Sequence, residues 1–531
     1  MKRREFVRAA AAGAAASGLT PLSLVTQERP ARTGPQQAQE PQVPLGNGEP
    51  PALQFQAYPG GTGALMEKLL EERGAEAFAR RPIEVEPWEG PVPSSEVDLA
   101  FLPVHRLAAL VRERHVSSVD LTGIYLERLK RYDPVLLCTV TLLEGRAREE
   151  AQQADAEIAS GRWRGPLHGI PWGVKDLFAV RGARTTWGSA DFADRVIDED
   201  AEVVVRLREA GAVLLAKLAT GEFARGDNWY RGRTRNPWNT EEGSSGSSAG
   251  PGSATAAACV AFAIGTETQG SIVSPARRNG VTALRPTFGR VSRAGGMVLA
   301  WSMDKVGPLC RSAEDCALVF EAIHGASELD PSTLTTPFRF GRRPDLRALR
   351  IGYTENAPES FLAELRGLGA DLRPMPGLPS GSSRSLGVES AAAFDFHVGD
   401  EEPEVRVAER GEGPGATGGG GRFRSGRTVL ALDYVQSQRR RLILMQEMAE
   451  VMKEFDLYAS GSGDVGLTNQ TGHPAVVLPY AFGPREEGGH EQPLCTTLIG
   501  GLFQDDVLLS VAHLYQSGTD WHTRRPAGFA G

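Results

Sequence analysis

Cysteine is scarce in this chain: five residues in 531, an odd number. So few thiols in so long a chain do not make a disulfide framework. Cys310 and Cys316 could pair, Cys259 reads as a small buried hydrophobe, and no bridge is predicted. Positive charge is short as well, with 58 Lys and Arg against 66 Asp and Glu and a net charge of -8. That balance excludes a basic face of the kind that binds nucleic acid or an anionic membrane. The nine histidines never fall in HExxH or a comparable ligand spacing, so no metal is implied. For His168 and His473 a hydrogen-bonded structural role is the expectation. A long apolar run is also missing; residues 1–25 come nearest, and they are too short and too weakly hydrophobic for a permanent span.

Glycine, serine and alanine, by contrast, gather in residues 242–293. Small residues and hydroxyls crowd 243–248 and again 265–271, more densely than core packing would explain. The Ala-rich run 253–264 between them predicts one buried helix holding two serine loops in fixed relation, because alanine loses no side-chain entropy in a helix. A flexible Gly/Ser linker would account for 243–248 alone, but not for a second cluster beyond a compact run. Such loops either cradle an anion on backbone N–H groups or present a serine hydroxyl to a carbonyl. A serine nucleophile needs a base, and Lys175 is the upstream candidate. Its neighbours in 165–178 are mostly apolar or glycine, so burial would keep part of the amine neutral.

These segments resemble the amidase signature family. Gly169-Ile170-Pro171-Trp172-Gly173-Val174-Lys175-Asp176 is similar to its lysine motif, Gly246-Ser247-Ser248-Ala249-Gly250 to its serine-rich motif, and residues 265–271 to its nucleophile loop. Further likeness around Lys217 and at 235–239, 284–292, 434–456 and 471–479 carries the resemblance over roughly residues 97–520. It implies Ser271 as nucleophile, Ser247 as a bridging serine after a cis peptide bond, and Lys175 as general base. The backbone N–H groups of Thr268, Gln269, Gly270 and Ser271 would form the oxyanion hole. The family's spacing between the two serines selects Ser247 over Ser244. Two positions depart from the pattern: Gln269 replaces the first glycine of a pair, and Ala249 replaces another glycine.

The fold implied is α/β, with a large mixed, mostly parallel β-sheet covered by α-helices. The activity implied is hydrolysis of a linear carboxylic amide, a small molecule, with neither cofactor nor metal. Two alternatives are an amidotransferase subunit that releases ammonia from glutamine for charged tRNA, and an exported binding protein on a non-catalytic amidase scaffold. A different chemistry is also spelled out by G-x-S-x-G at 246–250, the nucleophile elbow, with Ser248 attacking and Asp464 and His473 as partners. An elbow needs an apolar strand leading into it, whereas 236–245 is polar and contains Pro237, Glu241 and Glu242.

Residues 1–25 have a basic start, an apolar middle and small residues throughout, the pattern of a signal peptide, and Arg3-Arg4-Glu5-Phe6-Val7 resembles the twin-arginine export signal. Export would engage that machinery, place the protein in the periplasm or outside the cell, and weigh against the amidotransferase, whose partner is cytoplasmic. Residues 26–60 read as a flexible linker and 61–531 as a single domain with a flexible Gly-rich loop at 411–421. That loop spells a dinucleotide fingerprint at Gly413, Gly415 and Gly418, with no strand before it and no amphipathic helix opening after it. Periodicity predicts two helices over 99–131 with a capping box at 117–120, further helices at 144–160, 312–324 and 434–455, and a buried strand at 212–216. Trp172, Phe178, Trp229 and Tyr230 could line a pocket or pack the core.

Overall fold

The computed structural model describes residues 61–381, 385–395, 426–486 and 489–530, together with Tyr58 and Phe423. The expected signal peptide at 1–25, the Gly-rich loop at 411–421 and, Tyr58 aside, the linker at 26–60 lie outside the described residues.

Eleven strands build one sheet. In chain order they are β1 (Thr139–Leu142), β2 (Pro171–Lys175), β3 (Val213–Leu218), β4 (Phe262–Glu267), β5 (Thr282–Arg285) and β6 (Lys305–Cys310). β7 (Ile351–Tyr353), β8 (Leu372–Pro374), β9 (Leu457–Ser460), β10 (Ala475–Gly483) and β11 (Gln492–Gly500) complete it. Across the sheet they run β1-β3-β2-β4-β6-β5-β10-β11-β9-β7-β8. Apolar residues fill both faces of the central strands, so each face finds its own core. In β10, Val476 and Leu478 join one cluster while Ala475 and Val477 join the other, as a two-residue period requires.

The mixed sheet is as expected, but its parallel share is smaller. β2 is parallel to β3 and β4, and β7 to β8 and β9. The other six pairings are antiparallel. Antiparallel neighbours need no crossover helix, and among the described residues the segments joining β5 to β6 and β10 to β11 contain none.

The helices that bear on the site are α1 (Ser118–Leu136), α2 (Glu144–Ala159), α3 (Ala249–Ala256), α4 (Val273–Asn279), α5 (Ala313–Ile323) and α6 (Ala431–Met452). Ser117 and Asp120 form the expected capping box on α1. Three helices, not two, occupy the 99–131 region, because Glu96–Phe101 and Val104–Arg112 are separated at Pro103. The Ala-rich run also departs from expectation: α3 stops at Ala256, Ala258 turns with a φ of 50°, and the chain continues as β4. Pairing between β2 and β6 claims Phe262 and Ile264 for the sheet and overrides the local helix preference. All five cysteines are free and buried. Among the described residues no helix is long and apolar enough to cross a membrane, and no three metal-ligating side chains cluster.

Candidate active site

β2, β3 and β4 lie side by side and parallel, so their C-terminal ends open on one edge of the sheet. Lys175 ends β2; Thr266 and Glu267 end β4. The two serine segments, 243–248 before α3 and 268–271 after β4, meet at this edge.

The first segment is a turn seated on another loop. Ser245 donates its N–H to Asp227 Oδ2 at 2.9 Å, and the Gly246–Ser247 peptide is cis. A Cβ at Gly246 would lie 1.8 Å from the Gly226 carbonyl oxygen, so glycine alone fits there. Ser247 Oγ then lies 2.8 Å from Lys175 Nζ. Ser244 does not compete, since its hydroxyl donates to the Ser245 carbonyl.

Lys175 is fully buried, with Thr266 Oγ1 at 2.8 Å and the Thr266 carbonyl at 3.4 Å as its remaining neighbours. Among the described residues no carboxylate lies within ion-pair distance of it. Burial pushes its pKa well below the ordinary lysine value, against the pull of the more distant Asp304 and Glu267 charges. A neutral amine has two N–H donors and one lone pair. The two oxygens of Thr266 can take both donors, which leaves the lone pair for the Ser247 hydroxyl.

Two carboxylates fix the second segment. Glu267 Oε2 accepts the N–H groups of Ile272 and Val273, each at 2.8 Å. Its Oε1 accepts Arg285 Nη1 at 3.0 Å and Asn469 Nδ2 at 2.7 Å. Burial disfavours ionised Glu267, yet the Arg285 guanidinium and the Val273 N–H outweigh it and hold the pKa below the usual range. Asp304 Oδ1 accepts the Thr268 hydroxyl at 2.6 Å. Its other oxygen accepts the N–H groups of Leu299 and Ala300 at 2.8 and 3.0 Å. Between these anchors lies Ser271, 8% exposed, whose carbonyl accepts the Ser248 N–H at 3.1 Å. The positive φ of 95° falls on Gly270, while Gln269 is exposed. Among the described residues the N–H groups of Thr268, Gln269, Gly270 and Ser271 meet no acceptor.

The elbow arrangement does not form. Ser248 Oγ is buried against the Thr266 backbone, donating to its carbonyl at 3.1 Å and accepting its N–H at 3.2 Å. His473 faces Thr471 Oγ1 at 2.8 Å, and burial lowers its pKa to about 3. Asp464 accepts from Ser462. Trp172 is core, stacked on Phe262. Sequence reasoning missed Thr266, Glu267, Asp304 and Asp227. A signal existed for two of them, since Thr266 and Glu267 sit inside the loop motif.

Sheet and site together define an α/β protein that sets a buried lysine beside two serine loops at the C-terminal edge of parallel strands. The family model described as Amidase matches residues 120–368. Similar proteins include a glutamyl-tRNA(Gln) amidotransferase subunit from Methylococcus capsulatus, 34% identical over 490 residues that cover 80% of this chain and 98% of that one. Its counterpart from Moorella thermoacetica is 31% identical, covering 81% and 99%. Among solved structures, the peptide amidase of Stenotrophomonas maltophilia superposes with a TM-score of 0.69 at 28% identity, covering 81% of this chain and 99% of that one. The chain belongs to the amidase signature family.

Proposed function

We propose that this chain hydrolyses the C–N bond of a linear carboxylic amide through an acyl-enzyme on Ser271. The observation that carries this reading is Lys175: a fully buried amine with no carboxylate partner among the described residues, 2.8 Å from Ser247 Oγ. Kept neutral by burial, it can take the Ser247 proton as Ser247 takes that of Ser271. Ser271 Oγ then bonds to the carbonyl carbon, and the unspent N–H groups of 268–271 receive the oxyanion. Collapse breaks the C–N bond, and the proton returns through Ser247 to the departing amine. Water repeats the sequence on the ester, freeing the acid and Ser271.

A second reading is release of ammonia from glutamine as one component of an amidotransferase. It draws on the two amidotransferase relatives, similar over nearly their whole length. Both readings use the same serine, and they part at the substrate. Treatment with a fluorophosphonate followed by peptide mass mapping tests the shared chemistry. The expected adduct is on Ser271 and is lost in Lys175→Ala; an adduct on Ser248 would overturn the assignment. Glutamine and simple primary amides, offered in turn to the purified chain alone, separate the two readings.

A further inference from the structure

A cavity of about 320 Å³ opens against Thr266 and Thr268, the residues that hold Lys175 and begin the Ser271 loop. Leu177 and Phe178, shortly after Lys175, line it together with Met297, Leu299 and Val306. The lining is stitched together: Met297 donates its N–H to the Leu177 carbonyl at 2.9 Å, and Ala179 to that of Gly295 at 2.8 Å. At the rim stand two large apolar side chains, Trp301 and Leu329, 48% and 73% exposed. An apolar hollow with an apolar rim beside polar chemistry is the form a small-molecule site takes.

Four charged residues also line this cavity, and each is engaged within the protein. Arg293 grips Asp330 through Nε at 2.8 Å and Nη2 at 2.9 Å, and donates further to Ser332 Oγ and the Trp301 carbonyl. Asp304 accepts Thr268, Leu299 and Ala300, and Lys305 donates to the Met303 carbonyl. Arg293, Asp304 and Asp330 are taken up by protein partners, and burial holds Lys305 well below the ordinary lysine pKa, so no free charge is left to meet a substrate's ammonium or carboxylate, and burying such a group unpaired is costly.

We infer that this cavity seats the acyl group, and that the substrate is an amide of a small, apolar, uncharged acid in the size range of hexanoic or phenylacetic acid, not glutamine. The volume lies at the small end of ligand cavities, roughly 300–1,000 Å³, which sets that size. This rests on the Ser271 chemistry proposed above. Asp304 adds a link between specificity and chemistry, because one carboxylate holds both the cavity wall at Leu299 and the loop at Thr268.

The test is ammonia release by the full chain from acetamide, butyramide, hexanamide, phenylacetamide and glutamine, run beside fluorophosphonate labelling. The expected result is a kcat/KM at least about tenfold higher for hexanamide than for acetamide, with glutamine no better than acetamide. Met297→Trp, which fills the cavity, should lower the hexanamide value about tenfold more than the acetamide value. A flat series with Ser271 labelled, or glutamine as the best substrate, overturns the inference and leaves the Ser271 chemistry standing. No ammonia from any amide, together with no label on Ser271, overturns the chemistry and the inference with it.

Discussion

Two lysines on neighbouring parallel strands, Lys175 and Lys217, are both completely buried, and they have opposite surroundings. Lys217 pairs in register with Val174, one residue away from Lys175, so the two amines leave opposite faces of the sheet. Lys217 meets Asp176 Oδ1 at 2.6 Å, the Arg184 carbonyl at 2.9 Å and Thr185 Oγ1 at 2.9 Å. Among the described residues Lys175 meets hydroxyls and a carbonyl only. Burial lowers the pKa of both, but a carboxylate in direct contact opposes it for Lys217 alone. The counter-charge, not the depth of burial, separates an amine that holds the sheet together from one that can accept a proton.

Activity should break the comparison most sharply. Lys175→Ala and Ser271→Ala should each lower kcat/KM by about 10⁴-fold with an unchanged circular dichroism spectrum; a loss below tenfold in either would remove that residue from the chemistry. Stability comes next and runs the other way. Lys217→Met strands Asp176 in the core and should cost about 3–5 kcal/mol in urea unfolding. Lys175→Met should cost less than about 1 kcal/mol. Above its lowered folded pKa Lys175 is neutral while the unfolded chain still binds the proton, so the wild-type lysine itself costs stability at neutral pH, a cost that methionine removes.

Smaller effects sharpen the picture around the proton acceptor. Asp304→Asn loosens Thr268 and the cavity wall together, and kcat should fall about ten- to a hundredfold, as when an oxyanion donor is misplaced. Thr266→Val should have the mildest effect, about three- to tenfold in kcat, with a change in the pH profile. Wild-type activity should be lost as the pH falls through the lowered Lys175 pKa and retained above it. Without Thr266 Oγ1 the ammonium loses an acceptor, so the acidic limb should move to lower pH. An unmoved limb in that variant would reduce Thr266 to packing.

Lys175 and the two serine loops stand out in the sequence as local runs of glycine, serine or apolar residues, whereas the choice of Ser247 and Ser271 within those loops comes from the family resemblance. Asp304 was not, because its work is done 36 residues away on Thr268, and nothing in the local pattern announces that contact. Ser248 was ambiguous for a different reason. Its motif fits a nucleophile, and only the fold reveals the hydroxyl turned onto the Thr266 backbone. The Ala-rich run misled because local helix preference is weak beside two flanking strands that need a partner, and β4 supplies it. The sheet differs in the same way: the family resemblance implied mostly parallel strands, while connections without a crossover helix among the described residues allow antiparallel pairs at its centre.

The five buried thiols make the molecule its own gauge of opening. Cys138 precedes β1, Cys259 precedes β4, Cys310 ends β6, Cys316 lies in α5 and Cys495 in β11, so they sample the sheet from its edge across its middle. Burial lifts Cys259 and Cys495 to about 12 and Cys138 and Cys310 well above the ordinary thiol, so alkylation requires the surrounding structure to part first. A timed pulse of iodoacetamide, read peptide by peptide, would then show which part of the sheet gives way first under heat or urea, with no probe introduced.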